Sequence, residues 1–183
     1  MDFFECVAGR RSTRRFKQDP IPREDFDSMI DAGRYAPTGF NKQPVRFAVI
    51  SSPGKVADAF AFTGWLTGKP PEGQRPAGYV VILNDNDVMG GESAVHCATY
   101  AVMLAGWALG YGSCWHGVSK TEEMSEFLGL GGSVEPRILV SLGKPDEPFV
   151  VEDPSTDWKV SKRDDGTVRL GKLGRDDVTL AVL

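Results

Sequence analysis

The sequence predicts a single domain of mixed helix and strand built around one long buried helix, and three observations carry that reading. The 183 residues, 41% hydrophobic and 25% charged, suffice for one well-filled core and leave little for a second. Residues 92–109 are apolar nearly all round, as in helices enclosed by a core or an interface. The short segments 45–50, 79–83, 113–117 and 138–142 have the length of strands, with helical patterns between them.

The N-terminus opens with a short amphipathic helix. Phe3, Phe4 and Val7 fall at helical spacing, Asp2 is placed to cap, and Gly9 to end it. Residues 10–15 follow at once, with four guanidinium groups and two hydroxyls. Such a run is either a solvated basic turn or an anion site, since a guanidinium fork matches phosphate oxygens and hydroxyls add directional donors. Ile21-Pro22 introduces a second helix through Phe26, Met29, Ile30 and Gly33. It must end before Pro37, because the residue preceding a proline avoids helical angles. Residues 36–44 form a loop of turn formers and amides, which by itself reads as a plain connection. A strand at 45–50 and a helix at 53–65, with Val56, Ala59, Phe60 and Phe62 as its apolar residues, come next. Residues 68–78 hold three prolines and three glycines and read as irregular; 79–83 are continuously apolar, as in a strand buried on both faces.

In the long helix, Ala94, Ala98, Ala101, Ala105 and Ala108 make a face of methyl groups that admits close approach of another helix. Val95, Val102 and Leu109 form a second apolar line, and Tyr100, Leu104, Trp107 and Tyr111 a third. His96 and Thr99 interrupt the run short of the ~18 apolar residues of a membrane span, and His96 reads as a core residue. Gly110 and Gly112 are placed to stop the helix. Ser119 and Glu122 have capping-box spacing for a helix through Leu128, with Met124, Phe127 and Leu128 inward. Beyond Gly143 no helical period remains, so 144–183 read as an extended tail of the same domain ending in an edge strand at 178–183. So long a structureless approach is unusual in a compact domain, and a tail crossing to a partner subunit accounts for it.

Composition narrows the function. The net charge of −4 argues against a general binder of nucleic acid or of anionic membrane. Three widely spaced cysteines, Cys6, Cys97 and Cys114, fit reduced thiols in the cytoplasm and supply neither a disulfide framework nor four iron–sulfur ligands. Residues 1–7 are acidic and too poor in apolar residues for a secretory signal. There is no HExxH, CxxC, Walker A or G-x-S-x-G pattern, and no metal site is expected. Gly110-Tyr111-Gly112 joins a helix to a strand, the reverse of the dinucleotide-binding turn. With no evident acid, base or metal, the residues point to a cofactor that brings its own reactivity.

Four segments in order, Arg-Arg-Ser-Thr-Arg-Arg-Phe (10–16), Ala-Pro-Thr-Gly-Phe-Asn-Lys-Gln-Pro (36–44), Ala-Leu-Gly-Tyr-Gly-Ser-Cys-Trp-His-Gly (108–117) and Ser-Leu-Gly-Lys-Pro (141–145), resemble the FMN-dependent nitroreductase family. The resemblance implies an α+β fold with helices flanking a mixed central sheet, and a homodimer built on the long helix with two flavins at its interface. It implies that Arg10 binds phosphate, that Arg11 and Ser12 meet phosphate, ribityl or ring edge, and that Arg14 lies near the pyrimidine edge. Pro37, Thr38 and Asn41 would approach the flavin of the partner chain. Cys114, Trp115, His116 and Gly117 would run along the isoalloxazine, with a backbone N–H such as that of His116 facing the hydride-accepting nitrogen. Arg14 and His116 are the side-chain candidates for catalysis. Lys172 and Arg175 would close the phosphate site, with Lys162 and Arg163 as competitors, and Lys69 and Gln74 are candidates for the pyrimidine. The 68–78 segment would shape the substrate pocket. The implied activity is ping-pong hydride transfer from NAD(P)H through FMN to an electron-poor small molecule such as a nitroaromatic or quinone. An FMN-binding carrier or sensor without turnover, a relative with a specialised flavin reaction, and nucleic-acid binding through Arg10–Arg15 are the rivals.

Overall fold

The computed structural model describes residues 2–65, 68–155 and 159–181. The chain divides into two compact units, Met1–Pro145 and Asp146–Leu183.

The first unit is built on four strands, β1 (Val45–Ile50), β2 (Gly78–Asp85), β3 (Gly112–Gly117) and β4 (Val134–Gly143), in the order β1-β2-β4-β3. All three pairings are antiparallel; a parallel bridge between Ser12 and Ser113 adds the mixed element. Helices α2 (Arg23–Arg34) and α4 (Gly91–Ala108) cover one face, α3 (Pro53–Ala59) and α5 (Thr121–Leu128) the other, and α1 (Phe3–Gly9) lies on α4. The pleat divides the core accordingly. Val80, Ile82, Ile138, Val140 and Leu142 point to α2 and α4 with Phe26, Met29 and Val102, while Tyr79, Val81, Leu83 and Leu139 point to α3 and α5 with Val56, Ala59 and Met124. Each large apolar side chain so buried contributes about 1.5–3 kcal/mol.

The capping box predicted from Asp2 forms, with Glu5 N–H donating to Asp2 Oδ1 at 3.0 Å and Asp2 N–H to Glu5 Oε2 at 3.1 Å. The one predicted at Ser119 does not: Lys120 holds the N-cap position without a side-chain hydrogen bond. The third helix is shorter than its apolar pattern suggests, because the chain tightens into a 3-10 turn at Phe60–Phe62.

Three expectations for α4 change. The N-terminal part of the methyl face is used inside the chain: Ala94 and Ala98 are buried, Ala101 and Ala105 half-buried and Ala108 exposed, α2 packs across α4, and a Cβ on Gly33 of α2 would lie 2.9 Å from Val102. The face turned outward instead carries His96, Cys97 and Tyr100. His96 is therefore exposed rather than in the core, its Nδ1 lying 2.8 Å from the Glu92 carbonyl oxygen. Finally, Gly110 ends the helix with φ of 84°, a left-handed turn that glycine adopts without strain, whereas Gly112 serves a close approach described below.

The second unit is more ordered than the predicted tail. Strands β5 (Phe149–Glu152), β6 (Val160–Lys162) and β7 (Val168–Gly171) form a sheet in the order β5-β7-β6, with β5 and β7 parallel. Arg169 and Arg163 both pair with Glu152. Val178 closes the short helix α6 (Arg175–Val178) rather than starting an edge strand, and residues 179–181 extend no sheet; residues 182 and 183 lie outside those described. Strands of three and four residues have too little periodicity to be legible without their partners.

Candidate functional site

The site is organised by the stitch between the basic run and β3. Thr13 N–H donates to the Ser113 carbonyl at 2.9 Å, and Lys17 N–H to that of Lys144 at 2.9 Å. Thr13 and Phe16 are fully buried. A Cβ on Gly112 would stand 2.3 Å from Thr13 Oγ1, so only glycine lets the two segments meet. Gly9 likewise makes room for the Trp107 indole, whose Nε1 would lie 2.8 Å from an added Cβ.

This packing shuts polar groups away from water. Arg10 Nε and Nη1, Trp107 Nε1, Thr13 Oγ1 and Ser113 Oγ are all buried without a hydrogen-bond partner among the described residues. Unpaired buried donors cost about 1–3 kcal/mol each, more when charged. Arg75 Nε, Tyr79 Oη and Asn84 Oδ1 are in the same condition elsewhere in the chain. In the basic run, Arg11 Nη1 donates to the Arg10 carbonyl at 2.6 Å, and Arg14 Nη1 to that of Ser12 at 3.2 Å. Burial, and secondly the charge of Arg10, pull the Arg11 guanidinium below its ordinary pKa, a stress that an anion relieves. Gln74 joins from the 68–78 segment: Arg15 Nη1 donates to its Oε1 at 2.5 Å, and Phe16 N–H to its carbonyl at 3.1 Å. Lys69 instead lies over the Phe60 ring at 4.1 Å.

Along β3 the side chains alternate. Trp115 is half-exposed on the α4 side, its ring 5.6 Å from that of His96. With Gly117, Val95, His96 and Arg137 it lines a cleft of about 350 Å³. Cys114 and His116 are buried. Both nitrogens of His116 are engaged, Nδ1 at 2.9 Å from the Gly64 carbonyl oxygen and Nε2 at 2.9 Å from Ser141 Oγ. Burial is the main influence on this imidazole and lowers its pKa; the Gly64 carbonyl opposes that, and the Arg14 charge adds to it.

The ladder corrects the expected backbone donor. Ser113 turns its carbonyl to Thr13, and Val118 N–H donates to Arg137 at 3.1 Å across the sheet. In an antiparallel pair the two backbone groups of a residue point the same way and successive residues alternate. The N–H groups of Cys114 and His116 therefore face β4, while those of Trp115 and Gly117 face the open edge beside the basic run. The backbone N–H of His116 is turned to β4, and its ring nitrogens are engaged by Gly64 and Ser141.

Pro37, Thr38 and Asn41 belong to the loop between α2 and β1. Pro37 and Asn41 are exposed, and Thr38 accepts from Gln43 N–H at 3.1 Å. Thr38 lines a cleft of about 90 Å³ with Gly33, Phe47, Ala94 and Ala98. Phe40, Asn41 and Gln43 hold φ of 51°, 54° and 52°, values that are uncommon for residues with a side chain. Lys172, Arg175, Lys162 and Arg163 all belong to the second unit. The sequence reading missed the roles of Gly112, Ser113, Gly64 and Ser141, for which only the strand alternation around Ser113 and His116 offered a signal.

The structure is an α+β fold in which a basic run, with the Arg10 guanidinium partly buried and unpaired, is stitched to the edge of the sheet. The Nitroreductase family matches residues 7–90. A protein of Archaeoglobus fulgidus named "Putative NADH dehydrogenase/NAD(P)H nitroreductase" is 30% identical over 156 residues, covering 77% of this chain and 86% of the relative. Among solved structures, a nitroreductase family protein from Clostridium novyi NT superposes with TM-score 0.69 at 26% identity, covering 79% of this chain and 87% of its own. A nitroreductase with bound FMN from Bacteroides fragilis shares the fold, with TM-score 0.67 and 20% identity over 86% of this chain and 96% of its own. The chain belongs to the nitroreductase family, a family of oxidoreductases. Among the described residues no helix is long and apolar enough to cross a membrane.

Proposed function

We propose that the protein is an FMN-dependent reductase that takes hydride from NAD(P)H and passes it, by ping-pong turnover, to an electron-poor acceptor such as a nitroaromatic or quinone. The observation that carries this reading is the Arg10 guanidinium, with Nε and Nη1 buried and unpaired, in the run that Thr13 stitches to Ser113. A phosphate monoester supplies the acceptors these donors lack, so the residues present fit FMN. FMN, when bound, supplies the hydride chemistry. Arg10 and Arg11 hold the phosphate, with Ser12 beside them. Arg14 opposes negative charge developing at the pyrimidine edge, an electrostatic contribution that needs no proton transfer. Trp115 and Gly117 offer edge N–H donors, and a Cβ placed on Gly117 would meet no atom within 4 Å, so a flat ring can approach the strand there.

On this reading the enzyme is a homodimer. Phe3, Phe4 and Tyr100 are exposed on α1 and α4, an apolar surface of the kind that marks an interface. The partner's loop at Pro37, Thr38 and Asn41 completes each site. The free thiols Cys6, Cys97 and Cys114 suit a cytoplasmic setting. Anaerobic mixing of the flavin-loaded protein with NADH and NADPH tests the proposal: rapid bleaching, reversed by a quinone, is expected, whereas a flavin that stays oxidised with both donors indicates a carrier or sensor.

A further inference from the structure

His116 is buried at the point where three segments meet. Its Nδ1 faces the Gly64 carbonyl and its Nε2 the Ser141 hydroxyl, each at 2.9 Å. A carbonyl can only accept, so Nδ1 carries the proton; the neutral ring then accepts at Nε2 from the Ser141 hydroxyl. The Trp65 indole packs edge-on against the same imidazole at 4.6 Å. Trp65 is in turn fixed by Nε1–H donation to Thr63 Oγ1 at 2.8 Å, by Thr63 donating to the Phe60 carbonyl at 2.7 Å, and by the Phe60 ring at 6.1 Å. Arg14, from the basic run, is close enough to influence the charge of His116. The segment that follows the 3-10 turn and β4, through Ser141, thus meet at one side chain of β3.

We propose that His116 is a positioning residue: it ties the segment Thr63–Trp65 to β3, and so fixes that segment as a wall of the acceptor pocket relative to the flavin-facing edge. The proposal rests on the reading of the Trp115–Gly117 edge as the flavin side. The tie to Gly64 is the one that sets the wall, whereas the tie to Ser141 orients the ring. Loss of the Gly64 tie lets the wall shift, and a shift changes which acceptors fit more than it changes the reaction itself.

Two substitutions separate the ties. In His116→Asn the side-chain amide occupies the place of Nδ1 and can still donate to Gly64, while His116→Gln places its amide near Nε2 and abandons Gly64. His116→Phe keeps the ring against Trp65 and loses both. The readout is the ratio of kcat/KM for benzoquinone to that for anthraquinone sulfonate, acceptors of one chemistry and different size. The expected result is a change in this ratio of about tenfold in the Gln and Phe variants, with the Asn variant within about twofold of wild type. An unchanged ratio in a Phe variant with wild-type circular dichroism and full flavin content overturns the proposal. Nitrogen-15 NMR of the full chain is an independent arm: an Nδ1–H tautomer is expected at neutral pH, and an Nε2–H tautomer or a doubly protonated ring overturns it. A chain with the expected tautomer that binds no flavin contradicts the functional reading, whereas a flavin-loaded enzyme with an unchanged ratio contradicts the positioning role alone.

Discussion

At the scale of single residues, the proposed site rests on Arg10 and Gly112. Arg10→Gln removes the buried donors at Nε and Nη1; loss of charge-assisted bonds of about 1.5–3 kcal/mol corresponds to a roughly 10- to 100-fold rise in Kd for FMN, measurable by flavin fluorescence titration. Gly112→Ala drives a methyl to 2.3 Å from Thr13 Oγ1 and is expected to cost about 1–3 kcal/mol in urea unfolding. His116 gives a pH dependence of defined sign. Its folded-state pKa is lowered, so below about pH 6.5 the unfolded chain takes up the proton first and stability falls as pH drops; above that range the contribution is fully present. The urea midpoint of wild type should therefore fall more between about pH 7.5 and 5.5 than that of His116→Asn, and equal losses contradict the account. The basic run was legible because its composition is unusual wherever it folds. Gly112, Ser113, Gly64 and Ser141 were not, because their roles follow from through-space register. The two histidines show the same limit: an apolar pattern all round α4 hides which side meets the sheet, so the exposure of His96 was invisible.

At the scale of elements, every strand of the first unit was legible, β1 with its bounds intact, because short apolar runs between helical patterns leave little choice. The use of α4 was less so. Its methyl face suits any close neighbour, and in the structure that neighbour is α2 of the same chain. The two faces therefore give opposite predictions. Ala98→Leu, at a buried position, should destabilise by about 1–3 kcal/mol through overpacking without changing the particle mass. Tyr100→Glu, at a residue 45% exposed, should leave monomer stability near wild type and shift light-scattering mass toward the monomer. The opposite assignment of effects would return the methyl face to the partner. The short strands β5–β7 escaped the sequence because each pairs with a segment that carries no apolar period.

For the whole molecule, the sheet edge, the basic run and the outward face of α4 combine into one expectation: a family fold whose partner-poor donors are completed by a flavin phosphate. The measurement that tests this most directly is the visible absorbance of the purified full chain, before and after addition of FMN, compared with Arg10→Gln in the same buffer. The account predicts a bound-flavin spectrum that survives desalting in the wild type and is lost or much weakened in the variant. A wild-type protein that retains no flavin, or a variant that retains it equally well, would contradict the assignment of Arg10 and its neighbours as the phosphate site.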